Sequence, residues 1–134
     1  MKVAVVYYSR TGQTRRFVEK LNQELPDLEM FEIKSGEEEF NKPYVLITPT
    51  YRFGGIPEEV EEFLNSERNA NSIVAVTSSG NKNWGIENYA VSGDKISKKL
   101  KIPLLHKFEM RGGESDVKKV KEELIKLNIL EKDE

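Results

Sequence analysis

The sequence predicts an α/β fold built on a doubly wound parallel sheet, and three observations carry that prediction. Short apolar runs of strand length alternate with segments of helical periodicity. The runs at residues 3–8, 44–48 and 73–77 are apolar almost throughout, as strands buried on both faces are. Each runs into a loop rich in glycine, hydroxyl or aromatic side chains before the next helical pattern begins. The order β-α-β-β-α-β-α-β-α then implies five parallel strands with helices on both faces, and 2-1-3-4-5, one of the common orders of doubly wound sheets, is the expected arrangement.

The elements follow in turn. Residues 3–8 form the first strand, and a helix beginning at Arg15 places Phe17, Leu21 and Leu25 on one face until Pro26 ends it. Residues 28–33 read as a second strand, whose partial alternation marks an edge. The link at residues 34–43 holds Gly36 and three glutamates. Ten residues are at the lower limit for a parallel crossover, and a single helical turn at residues 37–40 would span the gap. After the strand at 44–48, Pro57 opens a helix with Glu58 and Glu59 suited to its dipole and Val60, Phe63 and Leu64 on its buried stripe. A strand at 73–77, a helix at 88–100 and a strand at 104–110 come next. The last helix starts near Ser115, burying Val117, Val120, Leu124 and Leu127, and residues 131–134 are expected to fray.

At 134 residues, a single domain spanning residues 1–134 is expected, long enough to bury a core. The net charge of −2 argues against coating nucleic acid or an anionic membrane. With no cysteine there is no thiolate catalysis, cysteine zinc site or iron–sulfur cluster, and one histidine excludes a His-rich metal site. No leader precedes the first strand and no apolar run approaches ~18 residues, so a cytoplasmic protein is expected. Any redox chemistry must run through a bound cofactor.

In an open doubly wound sheet a ligand binds beyond the carboxyl ends of the strands, where the strand order reverses. The first loop there is Ser9-Arg10-Thr11-Gly12-Gln13-Thr14. Its hydroxyls, its glycine and the N–H groups of the following helix suit a phosphate. It has neither the Gly-Lys-Ser/Thr of a triphosphate loop nor Gly-x-Gly-x-x-Gly, so a terminal monophosphate fits best. The same residue types also make ordinary turns and caps. The second loop carries Pro49, Thr50, Tyr51, Gly54 and Gly55, and the third carries Gly80, Asn81, Asn83, Trp84 and Gly85. Tyr51 and Trp84 converging from separate loops would flank a flat ring; the plainer reading has them capping the core. Gly54 and Gly55 permit a close backbone approach, and Asn81 and Asn83 offer donors and acceptors to a heteroaromatic edge. A redox-active planar ring carrying one phosphate is flavin mononucleotide (FMN).

Ser9-x-Thr11-Gly12-x-Thr14 resembles the flavodoxin phosphate loop. The stretch Gly80-Asn81-x-Asn83-Trp84-Gly85, followed by Gly93-Asp94-x-Ile96-Ser97 and by Pro103-Leu104-Leu105-His106-Lys107-Phe108-Glu109, resembles more narrowly the NrdI family. Arg16-Phe17-Val18, the run from Leu46 to Tyr51, and Phe63-Leu64-Asn65 extend the likeness over most of the chain. That family consists of flavodoxin-like FMN proteins of class Ib ribonucleotide reductase systems. The resemblance implies that Ser9, Thr11, Gly12, Gln13 and Thr14 hold the phosphate. It places Thr50, Tyr51, Gly54 and Gly55 on one side of the isoalloxazine, and Asn81, Asn83, Trp84 and Gly85 on the other. It implies reaction of the reduced protein with oxygen, and delivery of superoxide or a related species to the dimanganese small subunit for tyrosyl-radical assembly. An external flavin or flavodoxin reductase would supply the electrons.

Arg10, Arg52 and Lys82 fall one in each loop, Arg111 follows strand five, and the loops hold no acidic residue. A basic rim would favour the doubly reduced, anionic ring and attract anionic oxygen species; solvated loop cations are the plainer reading. His106 and Asp94 are assigned structural roles. The rival to the NrdI reading is an electron-transfer flavodoxin serving another reductase. A receiver module would need acids at Tyr7-Tyr8-Ser9, where there are none, and a nicotinamide-dependent reductase would need a second domain.

Overall fold

The computed structural model describes residues 1–51 and 54–132. Strands β1 (Ala4–Tyr7), β2 (Met30–Glu32), β3 (Tyr44–Thr48), β4 (Ile73–Gly80) and β5 (Leu104–Glu109) form one sheet. Every neighbouring pair is parallel, and the order is β2-β1-β3-β4-β5, as the sequence predicts. The helices are α1 (Gln13–Glu24), α2 (Glu58–Asn65), α3 (Glu67–Ser72), α4 (Val91–Leu100) and α5 (Glu114–Lys132).

Period-two alternation divides the core. Val3 and Val5 meet Phe17, Leu21, Val120 and Leu124 of α1 and α5 on one face. Ala4 and Val6 meet Val60, Phe63 and Ile96 of α2 and α4 on the other. The Phe17 and Phe108 rings stack at 4.0 Å, joining α1 to β5. Burying a side chain the size of Phe17 contributes about 1.5–3 kcal/mol. No helix among the described residues is long and apolar enough to cross a membrane.

The sequence expectation fails at four places. The helical turn expected at residues 37–40 does not form; the link crosses as coil held by polar contacts. The Glu38 carboxylate accepts from the N–H groups of Lys34, Ser35 and Gly36. These bonds hold Glu38 below the usual carboxylate range, against the opposing pull of burial. Gly36, at φ +96°, lies where a Cβ would come within 2.5 Å of the Glu59 carbonyl oxygen, so only glycine lets the link rest on α2. The short helix α3 was not foreseen. It supplies Asn69, fully buried, whose Oδ1 accepts from the Phe40 N–H at 2.8 Å and whose NH2 group donates to the Glu38 and Phe63 carbonyls, both at 2.9 Å. Third, β4 runs three residues past the expected end, with Ser78 and Ser79 buried. Last, the helix expected from residue 88 begins at Val91; α5 is described to Lys132, and Asp133 and Glu134 lie outside the described residues.

Helix α4 approaches β4 closely because Gly93 has no side chain. A Cβ there would lie 2.2 Å from Ser78 Oγ and 2.7 Å from Leu104 Cδ1. We expect Gly93→Ala to destabilise the fold by about 1–3 kcal/mol, the usual cost of overpacking. Urea denaturation checks this, and an unchanged midpoint would refute it.

Candidate functional site

The carboxyl ends of β1, β3, β4 and β5 enclose a cleft of about 690 Å³. Arg10, Thr11, Gln13 and Thr14 line one end. Pro49, Thr50 and Tyr51 form one wall and Gly80, Asn81 and Trp84 the other, so all three predicted loops meet there. Ser79 and Met110 also line it, and the sequence reading missed both. They terminate β4 and follow β5, so their position in the sheet was the only available signal.

At the phosphate-loop end, α1 starts from Gly12, which has no side chain to cap it, and has no acidic residue in its first turn; Ser9 takes the Arg15 N–H, and the N–H groups of Gln13 and Thr14 before it have no side-chain cap. Gly12, the residue before the helix, sits at φ +94°, with no atom within 4 Å of where a Cβ would stand. A helix N-terminus left open in this way presents N–H groups and the positive end of the dipole to an anion. The Gln13 Oε1 atom is buried without a protein partner. Rotation of that carboxamide offers a donor instead, so the position suits either a phosphate oxygen or a ligand hydroxyl. Ser9 does not line the cleft; its Oγ accepts from the Arg15 N–H at 3.1 Å and braces the loop.

Thr50 and Pro49 are fixed from behind by Ser92 of α4. Ser92 Oγ lies 2.6 Å from Thr50 Oγ1 and donates to the Pro49 carbonyl at 3.1 Å. Ser78 Oγ donates to the Ala90 carbonyl at 2.6 Å, tying the start of α4 to β4. Gly54 and Gly55 are absent from the cleft lining. They close a turn, with the Tyr51 N–H donating to the Gly55 carbonyl at 2.8 Å. The Gly54 carbonyl accepts from Lys95 Nζ at 2.6 Å, and a Cβ on Gly54 would lie 2.5 Å from Val91. Packing against α4 therefore accounts for that glycine.

In the third loop, Asn81 Oδ1 accepts from the Asn83 N–H at 2.9 Å, which leaves the Asn81 NH2 group for the cleft. Asn83 and Gly85 shape the turn and do not line the cleft; Gly85 takes φ +94°. Trp84 is 38% exposed, so its ring presents apolar area on the open side. The Glu109 carboxylate accepts from the Lys82 N–H at 3.1 Å and ties this loop to β5.

Among the described rim cations, Arg10 alone is placed on the cleft lining, its guanidinium 4.8 Å from the centre of the Tyr51 ring. Lys82 lies over Tyr89 at 5.3 Å. Arg111 lines a separate shallow groove with Arg16 and Lys20, and Arg52 lies outside the described residues. The loops hold no acid, but the fold brings Glu109 to Lys82 and Glu59 to Tyr8, beside Tyr51. His106 is structural here: its Nε2 is 2.7 Å from Asp116 Oδ1, and Asp116 also accepts from the Gly113 N–H at the start of α5.

An open helix N-terminus beside a cleft walled by aromatics suits a phosphorylated planar ring. Comparison with known proteins agrees. A family model described as "NrdI Flavodoxin like" matches residues 5–122. Protein NrdI of Macrococcus caseolyticus is 43% identical over 114 residues, covering 85% of this chain and 82% of that protein. The SPbeta prophage-derived protein NrdI of Bacillus subtilis is 42% identical over 120 residues, covering 90% and 89%. Oxidised Flavodoxin 2 from Bacillus cereus superposes with a TM-score of 0.65 at 20% identity, covering 93% of this chain and 96% of that one, a likeness of fold. Such a family implies a flavin cofactor. The chain belongs to the NrdI family of flavodoxin-like proteins.

Proposed function

We propose that this protein binds FMN in the cleft and serves a class Ib ribonucleotide reductase. The observation that carries the reading is the glycine-led, acid-free start of α1 at one end of a cleft walled by Tyr51 and Trp84. Thr11, Gln13, Thr14 and the first N–H groups of α1 take the phosphate. Ser9 and Gly12 shape that cradle without lining the cleft. Tyr51 and Trp84 bracket the ring, and the Asn81 NH2 group and the backbone of Pro49, Thr50 and Gly80 meet its edge. Arg10 adds positive charge beside the ring. The flavin supplies reversible electron transfer when bound.

In this reading an external flavin or flavodoxin reductase in the cytoplasm reduces the protein. The reduced protein turns oxygen into superoxide or a related species, which passes to the dimanganese small subunit. Tyrosyl-radical assembly there is the outcome. The open cleft mouth beside Trp84 suits a partner that must receive a small, short-lived oxidant.

The test is activation of a purified manganese-loaded class Ib small subunit under oxygen, read as the tyrosyl radical by electron paramagnetic resonance. Radical should form only when the reduced protein is present. Equal radical yield without it would overturn the reading, and electron transfer to an unrelated reductase in its place would make the protein an ordinary flavodoxin.

A further inference from the structure

Behind Tyr51 lies a hydrogen-bonded chain of three side chains that leads away from the cleft. The Tyr8 hydroxyl donates to Glu59 Oε2 on the first turn of α2. The Tyr8 and Tyr51 hydroxyl oxygens are 3.5 Å apart, and because Tyr8 gives its proton to the carboxylate, Tyr51 is the donor between them. Tyr8 is only 6% exposed, and it directly precedes the phosphate loop. Burial, then the Glu59 carboxylate, push its hydroxyl pKa up, so it remains a donor at every working pH. The far end of the chain is rigidly mounted, since Gly36 packs directly on the Glu59 carbonyl.

We propose that Glu59 and Tyr8 are positioning residues for the cleft. The charge-assisted bond fixes the Tyr8 hydroxyl, which fixes the hydroxyl end of Tyr51, so that the Tyr51 ring meets a planar ligand in a preset orientation. Arg10 on the Tyr51 ring is held by the same arrangement. Glu59 is not needed merely to complement the α2 dipole, because Glu58 and Glu61 occupy the same first turn. The proposal rests on the flavin reading for its ligand.

The experiment uses the full chain with Glu59→Gln, Glu59→Leu, Tyr8→Phe, the double variant Tyr8→Phe/Glu59→Leu, and Glu58→Gln as control. FMN affinity is measured by flavin absorbance and by quenching of Trp84. Tyr8→Phe and Glu59→Leu should each weaken FMN binding about 10-fold, the worth of one hydrogen bond to a charged group. The double variant should lose no more than either single one, since both break the same chain. Glu59→Gln, which still accepts a hydrogen bond, should recover most of the affinity, and Glu58→Gln should change nothing. Wild-type affinity in both single variants, additive losses, or an equal loss in Glu58→Gln would overturn the proposal. A proton NMR spectrum of the ligand-free protein reads the chain independently. The Tyr8 hydroxyl proton should be protected from exchange in the wild type and lost from that position in Glu59→Leu or, should that variant fail to fold, shifted in Glu59→Gln. Absence of the protected proton from the wild type overturns the positioning role, whereas failure of the wild type to bind FMN overturns the functional reading alone.

Discussion

Replacing Asn69 by leucine should cost the fold roughly 3–5 kcal/mol, the largest single-residue effect expected outside the apolar core. Leucine has the branched shape of asparagine and leaves no cavity, so the loss comes from the broken polar contacts together with some overpacking by its larger methyl groups. The Phe40 N–H and the Glu38 carbonyl would lose their Asn69 partner, and the Phe63 carbonyl would keep only the longer bond from the Ser66 N–H. Each such group left dry and unpaired costs about 1–3 kcal/mol. These bonds stand in for the missing crossover helix, tying the link before β3 to α2 and α3. The Asn69 main-chain carbonyl also accepts from the buried Tyr44 hydroxyl at 2.6 Å, a contact the substitution leaves in place. Denaturant unfolding by circular dichroism measures the loss; a change below about 1 kcal/mol would mean water replaces Asn69 freely.

Thr11→Asp should weaken FMN binding at least about 100-fold while leaving the ligand-free fold intact. Thr11 is exposed and lines the end of the cleft where α1 opens. Surface substitutions of this kind shift stability by only about 0.5 kcal/mol. A carboxylate there would stand beside the phosphate. Two unit charges at about 5 Å with an effective dielectric constant near 20 repel by roughly 3 kcal/mol, which is about two orders of magnitude in affinity. Isothermal titration of FMN into both proteins reads the difference, and Thr11→Ala separates lost hydrogen bonding from added repulsion. Equal affinity in Thr11→Asp would place the phosphate elsewhere.

The five parallel strands and the end of the sheet that carries the cleft were legible in the sequence because they rest on local signals, whereas the order 2-1-3-4-5 comes from the flavodoxin-like pattern. Buried parallel strands read as apolar runs, and parallel topology sends their carboxyl ends to one side. What escaped depends on contacts between distant residues. The run Glu67–Ser72 carries no apolar stripe, so α3 shows no helical period; its buried residue is a polar one, Asn69. A helical turn is expected in the link at residues 34–43 because ten residues barely span a parallel crossover, yet the Glu38 carboxylate turns back on the N–H groups of Lys34, Ser35 and Gly36 and the link stays coil. Gly54 and Gly85 read as ligand contacts in the sequence; the structure adds that Gly54 packs on Val91 and Gly85 takes a tight turn, roles invisible to local sequence. Side-chain direction separates the rim cations that the sequence placed together. Arg10, Lys82 and Arg111 fall in adjoining loops, but Lys82 lies over Tyr89 and Arg111 belongs to another groove. Ser79 and Met110 carried no chemical signal at all, being small or apolar residues that happen to end strands at the cleft.

The central claim is that the three loops form one FMN site anchored at the start of α1. It is tested most directly by titrating FMN into the ligand-free protein while following Trp84, the only tryptophan in the chain. The account predicts saturation at one FMN per chain, strong quenching of Trp84 as the ring stacks beside it, and loss of both in Thr11→Asp. Trp84 fluorescence that stays unquenched at saturation, or binding that Thr11→Asp leaves untouched, would contradict it.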